Sequence, residues 1–320
     1  MAGRQRILTV LNQDELDSQP EPALERGVFI ARETNAILEL FVSEYHPSFY
    51  TPLIGKSLHN EWKPETYIRF ALSQLQEISE RLAHREQLDV LADAAWNRHQ
   101  YDGIMGKISR IKPDLIIKTT RHDNRLNRTF FNYTDWHLIR NCPCPLMLAK
   151  GEDSWETRAV VACVDPSHLH GRMEALDNSI IEIAQWLAYR LKGELYIFHA
   201  IDFMPESVFR LWQPGSNYNT YKKESRQEHE TLLNELLKPY GIGSQRIHIL
   251  EGGSAETLLS FAQETNASLV VMGAVSKGTL GNLLIGNTAE KVLDALRCDI
   301  LVVKSNPLEV KELNAELVFS

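Results

Sequence analysis

The densest set of residues able to do chemistry is GAVSKGTLGNLLIGNT, running from Gly273 to Thr288. Gly273 is followed after two residues by Ser276, and Ser276 after nine by Gly286, with Asn287 and Thr288 next. Small residues let backbone N–H groups come close to a ligand, and a helix opening at Asn287 or Thr288 adds the positive end of its dipole. Such a segment suits phosphate oxygens. The competing reading is purely local, with glycines that shape turns and a Thr288 that caps a helix. A second loop begins at Asp165, after the apolar run VVACV. His168 and His170 follow it closely, but a pair spaced i, i+2 needs a third ligand to hold a metal, and the sequence offers none nearby. Cys142 and Cys144 in NCPCP stand closer than a CxxC pair and lack a second cysteine pair, which disfavours zinc. Cys144, Cys163 and Cys298 lie in or beside apolar strands and are expected to be buried thiols without disulfides. His137, in TDWH, has no nucleophile near it in sequence. Neither a Ser-His-Asp pattern nor GxxxxGK[ST] is present, so a dedicated catalyst is not expected.

The elements that would position these loops come in two copies. Residues 115–150 lie over 269–304 without a gap at a constant offset of 154, so that Leu126 meets Leu280, Thr134 meets Thr288 and Cys144 meets Cys298. A period of half the chain marks a repeated domain rather than a solenoid unit. In the second copy RAVVACVD reads as a buried strand, and Ala175, Ile180, Ile183, Ala184, Leu187, Ala188 and Leu191 recur at helical spacing until Gly193. ELYIFHAI, RIHILEG, SLVVMG and DILVVK read as further strands. Helices are expected at about 218–239, in AETLLSFAQETN and in TAEKVLDALR. The first copy repeats the order with RILTVLN, PALERGVFIARETN, AILELFVSEY, TYIRFALSQLQEISERLA and DVLADAAW before the aligned block. Alternation of strands and helices predicts two tandem α/β domains, each a doubly wound, mostly parallel five-stranded sheet. The expected boundaries are 1–150 and 155–306, with a C-terminal tail at 307–320. Both copies carry a polar, aromatic insert after the second strand, at 46–67 and 202–221, too irregular to predict a regular element. The insert at 202–221 leaves that strand on the carboxyl side and is expected to act as a lid there.

A chain of 320 residues with net charge −8 and no basic block argues against nucleic acid or an anionic membrane surface as partner. No apolar run approaches a membrane span, and the start MAGRQRILTVLNQ lacks a signal-peptide core, so a cytoplasmic location is expected.

The spacing Gly273, Ser276, Gly286, Asn287 resembles the G-x2-G-x9-G-[ST] nucleotide loop of the universal stress protein family, and VVACVDPS resembles its first strand. Two copies in one chain look like the family's tandem, E-type branch. The resemblance implies an adenine-nucleotide alpha-hydrolase-like fold, a part in stress survival, and ATP held in the second domain only. Asp165 would contact the adenosine, and Gly273, Ser276, Gly286, Asn287 and Thr288 would surround the phosphates. Dimerisation through the last strand is a family trait. Here it implies an internal pseudo-dimer in which the strands around 146–149 and 300–303 pair, with a homodimer also open to the chain. Ser276 and Asn287 depart from the pattern: a backbone donor tolerates the first, while the second supplies an amide in place of a hydroxyl. The first copy departs further, with Thr119, His122 and Asn132 at the glycine positions, Tyr133 next, and Asn12 in place of the aspartate. Its loop is basic, with Arg121, His122, Arg125 and Arg128. Since no loop residue is an evident base for water, any hydrolysis of ATP should be slow. The alternative is a carrier or sensor of an apolar metabolite, walled by Phe203, Met204, Val208, Phe209, Leu211 and Trp212.

Overall fold

The computed structural model describes residues 4–12, 22–44, 64–120, 122–123, 128–129, 131–150, 159–167, 171–274 and 293–304. The chain divides into two compact units, Met1–Ser154 and Trp155–Ser320.

The first unit runs β1 (Arg6–Leu11), α1 (Pro22–Thr34), β2 (Ile37–Glu44), α2 (Pro64–Glu86), β3 (Val90–Trp96), α3 (Gln100–Ile111) and β4 (Leu115–Thr119). A two-residue ribbon follows, β5 (His122–Asp123) with β6 (Arg128–Thr129), then α4 (Tyr133–Asn141) and β7 (Leu146–Ala149). Its sheet has the order β3-β2-β1-β4-β7, and every pairing in it is parallel. β1, β2, β4 and β7 are buried almost throughout because helices cover parallel strands on both faces. In α1, Pro22 sits at the first helical position, where its missing N–H costs nothing. Ala23, Ile30 and Ala31 bury one face of that helix.

The second unit runs β8 (Ala159–Cys163), α5 (Gly171–Arg190), β9 (Glu194–Ile201), α6 (Glu206–Trp212), α7 (Tyr218–Leu237), β10 (Ile247–Glu251), α8 (Ser254–Glu264), β11 (Ala267–Ala274) and β12 (Asp299–Lys304). The order β10-β9-β8-β11-β12 repeats that of the first unit, again wholly parallel. In each unit the first strand is central, and the chain winds outward from it in both directions. The direction changes between β1 and β4, and between β8 and β11. Such a switch point opens a crevice at the carboxyl ends of the strands, where ligands of open α/β sheets bind.

Two local readings change. α3 has no counterpart among the expected helices. The insert at 202–221 is partly regular: Pro205 caps α6, and Asn217 opens α7 by accepting from Asn219 N at 2.9 Å and Thr220 N at 3.3 Å. Residues 45–63, most of the other insert, lie outside the described residues. So do the first five residues of TAEKVLDALR, of which 293–295 are helical, and the tail. No helix among the described residues is long and apolar enough to cross a membrane.

Candidate functional site

Asp165 lies two residues beyond the end of β8, at the switch point of the second unit. Its Oδ1 accepts from Ser167 Oγ at 2.6 Å and from Ser167 N at 3.3 Å, which folds the chain back in a tight turn. Its own N–H donates to Asp177 Oδ1 of α5 at 3.2 Å. α5 is thereby tied to the strand end by a buried carboxylate.

One residue before Asp165, the carbonyl of Val164 faces Nδ1 of His199 at 3.0 Å, so that nitrogen carries the hydrogen. His199, 1% exposed on β9, then accepts at Nε2 from Nδ1 of His229 on α7, 2.8 Å away. The two rings stack with centroids 5.0 Å apart. This chain of bonds joins α7, β9 and the Asp165 turn. The sequence held no sign of it, since His199 and His229 are 30 positions apart and each looks unremarkable in its own element.

A cavity of about 210 Å³ opens beside the turn. Asp165, Asp177, His199, Leu176, Met272 and Gly273 are among its walls. It is smaller than the roughly 300–1,000 Å³ of pockets that enclose a whole drug-sized ligand, so it can take a ring system but not a nucleotide entire. Two carboxylates on its rim also make it a poor place for phosphates, whose charge they repel.

The structure brings Asp165 and Gly273 to this one cavity. At Gly273 a Cβ would lie 2.6 Å from Leu176 Cδ2, 3.1 Å from Leu176 Cγ and 3.2 Å from Ile180 Cδ1. Close packing of α5 on β11 therefore asks for glycine here on its own account. Ser276, Gly286, Asn287 and Thr288, like His168 and His170, fall outside the described residues.

In the first unit the position matching Gly273 is filled. Thr119 is 7% exposed, and its Oγ1 accepts from Ala23 N at 3.1 Å, at the start of α1. Asn132, which matches Gly286, is the N-cap of α4: its Oδ1 accepts from Asp135 N at 2.9 Å. Both side chains have become structural. His137 packs its ring on Tyr133 and Tyr101 at 4.0 and 5.1 Å. The side chains of 121–130 lie outside the described residues.

The residues expected to wall a pocket for an apolar metabolite, Phe203, Met204, Val208, Phe209, Leu211 and Trp212, are not among those lining this cavity, and neither is any other residue of the insert expected as a lid. Leu211 and Trp212 are 81% and 79% exposed. Phe209 is buried, but against Tyr218 and Tyr221 of the insert itself. Val208, Phe209, Leu211 and Trp212 share one side of α6 by their spacing, yet only Phe209 among them is buried.

All four cysteines are free thiols, with Cys142, Cys144 and Cys298 buried and Cys163 half-buried. Among the described residues no three His, Cys, Asp or Glu side chains converge as a metal site would require.

A model of the universal stress protein family matches the chain twice, over residues 3–150 and 158–304. Universal stress protein E of Photorhabdus laumondii is 26% identical over 315 residues, covering 97% of this chain and 98% of that protein. Universal stress protein E of Escherichia coli K12 is 27% identical over 315 residues, 95% of each. Among solved structures, a functionally unknown protein from Pseudomonas aeruginosa PAO1 matches with TM-score 0.73 at 26% identity, over 99% of this chain and 98% of that one. A universal stress protein from Archaeoglobus fulgidus, at TM-score 0.62 and 14% identity over 94% and 98%, shares the fold. With one match in each compact unit, this chain belongs to the universal stress protein family as a tandem pair of its domains.

Proposed function

We propose that the protein is a cytoplasmic stress-response module whose second unit binds ATP or a related adenine nucleotide and whose first unit does not. The observation that carries this reading is the cavity at the β8/β11 switch point, bordered by Asp165 and Gly273. Its volume suits a base, and its carboxylate rim suits amino and hydroxyl donors of a nucleoside. The phosphates then extend away from the two aspartates, toward the segment 276–288 that continues from β11 and is rich in backbone donors by sequence. The first unit lacks the aspartate and has Thr119 folded into the close-approach position. Binding rather than turnover is the function. In this reading Asp165 and Asp177 face the nucleoside, which leaves neither as a base toward a phosphate.

Calorimetry of the intact chain with ATP tests this. The wild type should bind a single equivalent. Asp165→Ala should weaken binding by removing an acceptor, and Gly286→Val by placing a branched side chain at the phosphates. Asn132→Val, the matching change in the first unit, should leave ATP affinity unchanged. Equal losses from Gly286→Val and Asn132→Val, or undiminished affinity in both second-unit variants, would show the nucleotide to be misplaced.

A further inference from the structure

The end of α4 brings two thiols into contact. The helix closes on Cys142, whose N–H donates to the Leu138 carbonyl at 2.9 Å. Cys142 is extended, with φ −62° and ψ 128°, the conformation that a following proline favours. The chain bends at Pro143 and Cys144 and enters β7 at Leu146. Sγ of Cys142 donates to the carbonyl of Cys144 at 3.3 Å and lies 3.7 Å from Sγ of Cys144. The two residues are 3% and 5% exposed, yet Asn141 before them and Pro143 between them are exposed. The pair therefore lies just beneath the surface, beside the amino end of β7, whereas the crevice of such a sheet is at the carboxyl ends of its strands.

The second copy supplies a comparison within the same chain. At the constant offset Cys142 meets Leu296 and Cys144 meets Cys298, and these are buried as well, at 3% and 9% exposed. A hydrocarbon thus meets the packing demand at the first position, so the sulfur of Cys142 adds chemistry that packing does not require. Two sulfurs alone leave zinc short of ligands, and among the described residues no third His, Cys, Asp or Glu converges on them. Two-electron oxidation needs only the pair.

We propose that Cys142 and Cys144 form a reversible redox site, which a hydroperoxide closes to an intrachain disulfide. One thiolate attacks the hydroperoxide and takes one oxygen as a sulfenic acid, breaking the O–O bond and releasing an alcohol, or water from hydrogen peroxide. The second sulfur then attacks the sulfenic sulfur. The S–S bond forms, the S–O bond breaks, and the departing hydroxide leaves as water with the proton of the second thiol. Two electrons pass from the sulfurs to the peroxide. The sulfurs close from 3.7 Å to the ~2.05 Å of a disulfide, a movement that rotation about the two Cα–Cβ bonds can share. The closed loop holds only three residues, so the bridge gains little from chain entropy, and exchange with an external dithiol reopens it. The site is independent of the nucleotide reading above.

The experiment treats the intact, reduced chain with a small excess of hydrogen peroxide, blocks the remaining thiols with N-ethylmaleimide in denaturant, and digests the product with trypsin. Cleavage after Arg140 and Lys150 leaves both sulfurs in one peptide, NCPCPLMLAK. That peptide should lose about 2 Da, the mass of two hydrogens, and take up no maleimide. Oxidation of its Met147 adds mass instead and is read separately. Cys163 and Cys298 should still be labelled, and dithiothreitol should restore both thiols of the pair. In Cys142→Ala and in Cys144→Ala the remaining sulfur has no partner, so dimedone should capture several-fold more sulfenic acid there than in the wild type. The wild-type peptide mass needs no variant, so it decides the matter even if either variant fails to fold. Four results would overturn the proposal: a peptide 141–150 that keeps both thiols, Cys163 or Cys298 oxidised as readily as the pair, a sulfinic acid or a bridge between two chains as the main product, or dimedone capture no greater in the variants than in the wild type.

Discussion

Gly273 carries two demands, close packing and ligand approach, and a single methyl group separates them. In Gly273→Ala the new Cβ would lie 2.6 Å from Leu176 Cδ2, so a shift of about 1 Å is needed to restore ordinary carbon–carbon contact near 3.5–4.0 Å. Leu176 and Ile180 are 4% and 1% exposed, so neither can retreat into solvent. Overpacking of this kind costs about 1–3 kcal/mol. The lower half of that range applies, because the nearest atom is the end of a rotatable side chain and because alanine regains some of glycine's lost entropy, up to ~1 kcal/mol. We expect a net loss of roughly 1–2 kcal/mol. The assay is urea unfolding of the intact chain, with hydrogen exchange of the β11 amides to assign the loss to the second unit. A double-mutant cycle with Leu176→Ala sharpens it. That change alone leaves a hole worth about 2–5 kcal/mol, but it also makes room for the new methyl, so the two losses should fall short of additivity by about 1 kcal/mol or more. Full additivity, or a Gly273→Ala protein as stable as wild type, would refute the packing argument and leave ligand approach as the sole reason for this glycine.

Two further outcomes follow from the electrostatics. The Glu194 carboxyl is held down to about 2, from an ordinary 4.5, first by its hydrogen bond from Arg246 and then by that from Tyr196. Its stabilising effect is complete above the ordinary glutamate range and is lost as pH falls toward 2; in Arg246→Ala its titration, followed by carboxyl carbon NMR, should move back up, and an unmoved midpoint would contradict this. Burial, with nearby Cys298 adding to it, pushes the Cys163 thiol well above its usual range. Alkylation of this half-buried residue in the native protein should be slow at neutral pH and accelerate as pH rises, whereas rapid labelling at pH 7 would contradict that account.

The sheet was legible because buried parallel strands are short apolar runs: RILTVL, AVVAC and DILVVK stand out without any partner in view. α3 was not. Gly103 looks like a helix breaker, yet it is required inside the helix, since a Cβ there would lie 2.0 Å from Ser43 Oγ of β2. Close helix–strand packing selected the residue whose propensity hides the helix. α6 was obscured in the same way by Pro205 and Gly215, which read as loop signals but bound a short helix. At the candidate site Asp165 and Gly273 were legible through spacing and resemblance. Asp177, His199 and His229 were not, because their roles come from contacts across 12 to 35 positions that only the fold creates. Lys118 in LIIKT showed as a charge within an apolar strand, but its partner, Asp135, appears only when α4 is laid against β4.

The place of β1 at the centre of its sheet has a consequence during synthesis. Its pairing with β4 brings together groups 108 positions apart, such as Arg6 N and Asp114 Oδ2, so the first sheet cannot close until nearly all of its unit has been made. Sheets dominated by such distant pairings form in milliseconds to seconds. At about 5–20 residues per second, the roughly 170 residues from Trp155 to Ser320 take about 10–30 s to translate. The first unit therefore has time to finish before its duplicate is fully made. Two copies of one strand order can thus share a polypeptide without the central strands of one capturing the partners of the other. A refolding chain, released whole from denaturant, has no such interval, and its yield should fall below that of the chain folded as it is made.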